Sequence, residues 1–179
     1  MTTIKIGSQE WATEDLKVTK FRNGEDIPFV TDTEEWAELE TAAYCISPKG
    51  HYLYNWYAVN DPRGLAPDGF HVPTDDEWTE LTESLGGEDI AGNVLKTQEW
   101  GGDNSSGFTA LPNGHRDYYD GNFYNEGGSG NWWSSSANGT LNAWIRDLLS
   151  DSDYVDRNYL SQRNGFSVRC LKTFNTNDK

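Results

Sequence analysis

From residue 101 onward Gly and Asn recur every few positions and no apolar period of 3.6 survives. That half of the chain is therefore expected to hold short strands and long loops rather than helices. Within it, no Glu, Lys or Met occurs between Glu126 and Lys172. Glu and Lys make up 20 of the 179 residues, so a stretch of that length would ordinarily hold about five. Asn, Ser, Asp, Tyr, Arg and Gly take their place. Two apolar-aromatic bookends frame the stretch, Trp132-Trp133 before it and residues 165–170 (GFSVRC) after it. The pattern is that of a rigid frame around side chains suited to contact rather than to core.

The first half carries the helical signals. Thr31-Asp-Thr-Glu34 offers a cap, with Trp36 and Leu39 three apart, which suggests a short helix. A stronger capping box, Thr74 with Glu77, opens a helix whose Trp78, Leu81 and Leu85 share one face and which Gly86-Gly87 stop. The acidic run Asp75-Asp76-Glu77 is read as capping in preference to catalysis. Residues 4–11 alternate enough for a strand, whereas residues 51–59 (HYLYNWYAV) fit strand or helix. The expected architecture is α+β, one domain over residues 1–179, with two modest helices and then a β-rich half.

Composition excludes several functions. The net charge is −15, and the seven Arg and seven Lys are scattered, which argues against nucleic-acid binding. No apolar run is long enough for a membrane span. The start at Met1 lacks the basic and apolar regions of a signal peptide, so the chain is expected to be made without a leader or to be a trimmed product. Cys45 and Cys170 lack metal-site spacing; a disulfide between them and two buried thiols are both open. Walker, Rossmann, HExxH and GxSxG motifs are absent. His71, just before the Thr74 helix, reads as a structural histidine. Asp151, Asp153 and Asp156 match a calcium loop in charge but lack its Gly and closing Glu. No cofactor is expected, with weak structural calcium the one alternative left open.

Further segments carry a resemblance: residues 7–11 (GSQEW), 21–24 (FRNG), 43–45 (AYC), 53–59 (LYNWYAV), 65–74 (LAPDGFHVPT), 106–108 (SGF), 110–112 (ALP) and 132–135 (WWSS), with Asp15-Leu16, Glu77-Trp78, Ala143-Trp144 and 165–170. In order and along nearly the whole chain, these resemble the FISUMP family, the major paralogous domain of bacterial surface proteins. The resemblance implies a C-type-lectin-like fold of the formylglycine-generating-enzyme branch, with two helices, a small twisted antiparallel sheet, long loops and neighbouring ends. One subset of that branch is the variable proteins of diversity-generating retroelements. There, adenine randomisation at AAC codons in a C-terminal segment cannot yield Glu, Lys, Met, Gln or Trp. The stretch past Trp133 fits that rule if Trp144 and Gln162 are fixed positions. The competing reading is that loop-rich β segments simply favour Asn, Ser, Asp and Gly.

On this reading the chain is a non-enzymatic binder at a virion or cell surface, and residues 132–170 hold a diversified face for a protein ligand or receptor. The expected contact residues are Asn138, Thr140, Asn142, Ile145, Asp147, Leu149, Asp151, Tyr154, Asp156, Asn158 and Tyr159. Strand alternation assigns Trp144 and Leu148 to the core face and turns Ile145, Asp147 and Leu149 outward, between loops 138–142 and 151–159. Tyr154 and Tyr159 are the candidate hot spots, and the aspartates favour a basic partner. Trp132, Trp133, Phe166 and Val168 are expected as buried frame, with Arg169 paired to a carboxylate. Two rivals remain. One is a surface module without diversification. The other is a formylglycine-type copper oxidase, which would need a cysteine pair near the carboxyl end, where only Cys170 lies.

Overall fold

The structure, a computed structural model, describes residues 1–174. It is mixed α+β and mostly β. A hairpin of β1 (Thr3–Ile6) and β2 (Gln9–Ala12) opens it, turning at Gly7-Ser8. Gly7 has a φ of +60°, which the two-residue turn requires and which a side chain would oppose. The short helix α1 (Thr33–Ala37) is capped by Asp32, one residue later than the sequence suggested. Residues 51–59 then prove to be both alternatives in turn. Strand β4 (Tyr52–Tyr54), paired with β3 (Tyr44–Ile46), runs into the one-turn helix α2 (Trp56–Val59) under an Asn55 cap.

After β5 (Phe70–His71), the Thr74–Glu77 capping box starts α3 (Asp75–Ser84), with Trp78 and Leu81 buried. His71 bridges Glu77 Oε1 at 3.0 Å and Thr173 Oγ1 at 2.9 Å, a structural role. Two expected helices become four among the described residues. The sequence reading left α2 open and missed α4 (Glu88–Leu95), because Gly86-Gly87 end α3 and then start α4 with no side-chain cap. Gly92 inside it also weakens the helical signal. A Cβ there would lie 2.5 Å from Asp153 O, so tight docking of the 150–154 loop explains that glycine.

The second half is β, as its Gly and Asn spacing implies. A small hairpin, β6 (His115–Arg116) with β7 (Phe123–Tyr124), precedes the long β8 (Ser129–Asn138), β9 (Asn142–Leu149) and β10 (Val155–Ser161), which form a three-stranded antiparallel sheet in the order β10-β9-β8. The last strand, β11 (Leu171–Lys172), inserts between β2 and β5 in a sheet of order β1-β2-β11-β5. The described ends therefore meet, and Ala12 N donates to Cys170 O at 2.9 Å. Cys45 and Cys170 are free, buried thiols rather than a disulfide.

Two apolar clusters sit on opposite sides of the three-stranded sheet. Trp133, Ala143 and Ile145 join Tyr54, Phe166 and Val168 on one side. Trp132, Leu148 and Val155 join Trp78, Leu81, Ala91 and Leu95 on the other. The aromatic bookends are thus frame, as expected. Arg169 is buried with them and donates to Asp15 Oδ1 at 2.8 Å.

Candidate functional site

Cross-strand neighbours share a face in an antiparallel sheet, so the register of β8, β9 and β10 sorts their side chains. One face carries the row Trp132, Arg146, Arg157 and, toward the hairpin end, Trp144 beside Tyr159. The other carries Asn131, Asp147, Asp156, then Trp133, Ile145, Asn158. Each face is covered over only part of its length, and the two open ends are diagonally opposed.

The helix-side face is closed by α3 and α4 at Leu148 and Val155. Next to them Asp75, the first residue of α3, is 6% exposed and clasped by two arginines. Arg146 Nη1 reaches its Oδ1 at 2.6 Å and Arg157 Nη2 its Oδ2 at 2.7 Å. Burial alone would raise this carboxyl; hydrogen bonds from Arg157 and Arg146 outweigh that and hold it below the usual carboxylate range. Asp75 is therefore more than a helix cap. Farther along, Trp144 is half-buried rather than core, with the Arg157 guanidinium 3.8 Å from its ring centre and Tyr159 edge-on at 5.4 Å.

The opposite face corrects the expected contact patch. Ile145 does not point outward; it is fully buried between Trp133 and the core around Phe166. Alternation identifies which residues share a face, but it does not say which face meets water when both are covered. Past Ile145 the cover ends, Asp147 is half-buried and Leu149 is exposed. There the sheet and the β6–β7 hairpin enclose a cleft of about 250 Å³, lined by Asn131, Asp147 and Asn164 together with His115, Tyr118, Leu149 and Leu160.

Asp147 is the anomaly of this cleft. Its Oδ1 is enclosed and accepts no hydrogen bond from the described residues. Burial, and then the Asp156 carboxylate on the next strand, push its carboxyl up to about 6 against an opposing hydrogen bond from Asn131. His115, also partly buried, has its ring pKa lowered by burial, with Asp117 opposing. The hairpin wall is itself rigid: the buried Arg116 donates to Val30 O, Thr31 O, Asp32 O and Gly121 O, and Asn164 Oδ1 accepts from Tyr118 N at 3.1 Å.

Apart from the buried Ile145, the expected site residues therefore divide among four places. Asp147, Leu149, Asp156 and Asn158 share the cleft-side face, whereas Tyr159 lies on the helix-side face. Asn138, Thr140 and Asn142 form the β8–β9 hairpin tip, where Leu141 is 72% exposed. Residues 151–159 are not one loop, because Val155 onward is the edge strand β10. What precedes it is pinned: buried Lys96 donates to Leu149 O at 3.1 Å and Ser152 O at 2.7 Å, and Tyr154 OH to Glu88 Oε2 at 2.9 Å. Asp151 projects beside it, exposed. No cluster of three His, Cys, Asp or Glu able to hold a metal ion occurs among the described residues. His115, Tyr118 and Asn164 escaped the sequence reading. Long-range pairings, Gly114 with Gly130 of β8 and Arg116 with Gly165, bring the hairpin to the sheet, and no local pattern announces them.

A mostly β, α+β module with an apolar cluster on each side of its three-stranded sheet and a polar cleft over an open sheet end is the class that this geometry defines. The model of the Fibrobacter succinogenes major domain (Fib_succ_major) matches residues 4–172; the chain belongs to that family. Searches of curated proteins and of solved structures each return no match. No helix among the described residues is long and apolar enough to cross a membrane.

Proposed function

We propose that this chain is a non-enzymatic recognition module of C-type-lectin-like fold, displayed on a virion or cell surface, that binds a protein ligand through the cleft at the open end of the β8–β9–β10 sheet. The observation that carries this reading is Asp147: one carboxylate oxygen withdrawn from water, with no donor among the described residues, in a cleft that also presents Leu149, Leu160 and Tyr118. Such a group is costly unless a ligand supplies the donor. A lysine or arginine side chain of a basic partner supplies both charge and donor, while Leu149, Leu160 and Tyr118 supply apolar contact.

The cleft draws on the stretch that lacks Glu, Lys and Met, which supports the narrower proposal that its exposed positions are diversified by a retroelement. Population sequencing tests that part: changes concentrated at exposed positions of 138–164, in adenine-derived codons, are expected, and evenly scattered changes would sink it. Binding is tested with a displayed random peptide library selected on the whole chain. Enriched peptides should carry Lys or Arg and lose affinity about tenfold or more on Asp147→Asn, the scale of a buried charge-assisted hydrogen bond. Peptides that bind both proteins equally would refute the cleft as the site. The oxidase alternative is disfavoured by the thiols: burial pushes Cys45 and Cys170 each up to about 12, far from a reactive thiolate.

A further inference from the structure

A second cavity, of about 420 Å³, shares no lining residue with the cleft. It opens where the segment after β2, the β3–β4 turn and residues 109–113 meet. Its volume falls in the range of about 300–1,000 Å³ usual for small-molecule sites. At its base lies a buried polar network. Asp15 Oδ1 accepts from Trp132 Nε1 and Arg169 Nε, both at 2.8 Å, and Oδ2 accepts from Asn113 Nδ2 at 2.7 Å. Asn113 Nδ2 also donates to Ser167 Oγ at 2.9 Å. Arg169 Nη1 and Nη2 donate to the Ala12, Phe108 and Thr109 carbonyls. Against these matched groups one acceptor stands out: Asn113, only 2% exposed, has an enclosed Oδ1 with no partner among the described residues. The amide cannot be turned round to satisfy it, because that would aim the oxygen at the Asp15 carboxylate.

The entrance adds charge of the sign this protein otherwise lacks. Lys17 and Lys49, two of seven lysines in a chain of net charge −15, stand exposed at the rim with His51 between the walls, Lys49 Nζ also donating to Glu126 O at 3.4 Å. Leu16, Tyr52 and Leu111 give apolar surface. We propose that this cavity binds a singly charged, hydroxylated carboxylate of monosaccharide size, such as a sugar acid, with its carboxylate toward Lys17 and Lys49 and a hydroxyl donating to Asn113 Oδ1. Each part of the ligand follows from one part of the cavity. The orphan acceptor requires a donor, and an ammonium donor would meet the Arg169 guanidinium and the rim lysines. The lysines favour an anion, while Glu14 on the wall and Asp15 at the base disfavour a doubly charged phosphate.

Titration of the 15N-labelled full chain with glucuronate, and in parallel with glucose and glucose 6-phosphate, tests this. Saturable shifts are expected at the Asn113 side-chain amide and at residues 49–51 with glucuronate, and affinity for glucose or its phosphate should be about tenfold weaker or worse. The surface double variant Lys17→Glu/Lys49→Glu should weaken glucuronate by a similar factor while its spectrum away from the rim stays unchanged. Absence of saturable shifts would mean that an ordered water alone fills the Asn113 acceptor, and would overturn the proposal. Equal affinity for glucose, tighter binding of the phosphate, or a double variant that binds like the parent would do so too.

Discussion

The two faces of the β8–β9–β10 sheet each take a carboxylate out of water, and they treat it in opposite ways. On the helix side Asp75 meets two arginines, Arg146 and Arg157, and Arg146 also donates to Thr79 Oγ1 at 2.8 Å. On the cleft side Asp147 faces another acid, Asp156, against one Asn131 hydrogen bond, and its Oδ1 has no partner among the described residues. The first arrangement locks a helix onto a sheet; the second leaves an electrostatic demand that folding does not satisfy. A satisfied carboxylate and an unsatisfied one are thus separated by the thickness of one sheet.

The largest expected effect breaks the satisfied side. Asp75→Asn leaves Arg146 buried without its counter-charge and should cost about 3–5 kcal/mol in urea unfolding. Acid reveals the same pair: its contribution is present above the unfolded carboxyl pKa of about 3.9 and is lost as the pH falls through the lower folded value. A next, smaller effect tests the burial of Ile145. Ile145→Ala should cost about 2–5 kcal/mol, as for core truncations, whereas Leu149→Ala on the same strand and face should cost about 0.5 kcal/mol or less. Equal effects would mean that the cover over that face does not end where the structure ends it.

Asp147 should respond with the opposite sign. Between about pH 4 and 6 the folded chain keeps a proton that the unfolded chain gives up, so this residue's contribution to stability falls as pH rises through the window. Asp147→Asn should therefore stabilise the protein at pH 7 by about 2 kcal/mol and leave it nearly unchanged at pH 4, as read by urea unfolding at both pH values. A destabilised variant would mean that the carboxylate has a partner after all.

How far these sites were legible in the sequence follows the range of the interactions that build them. The Thr74–Glu77 capping box and the Trp132, Trp133, Phe166 and Val168 frame depend on neighbours in sequence or on apolarity alone, and both were readable. The role of Asp75 was not, since its partners Arg146 and Arg157 lie some 70 and 80 residues away. Helix α4 hid behind Gly86-Gly87 and Gly92, whose reason is a backbone contact with Asp153. Ile145 was misread because alternation assigns faces without saying what covers them. The cleft was half visible: its sheet residues lie in the unusual stretch, but His115 and Tyr118 come from a hairpin that only tertiary pairing delivers.

The smallest expected effect concerns Tyr159, and it separates the two faces most cleanly. Its ring leans edge-on against Trp144 on the helix-side face, and it is 48% exposed. Exposed aromatic pairs contribute little, so Tyr159→Ala should cost about 0.5–1 kcal/mol, and Tyr159→Phe, which keeps the ring, close to nothing. If recognition runs through the Asp147 cleft on the other face, neither change should shift affinity for the selected peptides by more than about twofold, well below the tenfold that 1.4 kcal/mol represents. A large loss on Tyr159→Ala, with stability preserved, would move the binding face to the Trp144–Arg157–Tyr159 cluster. Asp147 would then be a cost of folding that nothing in recognition repays.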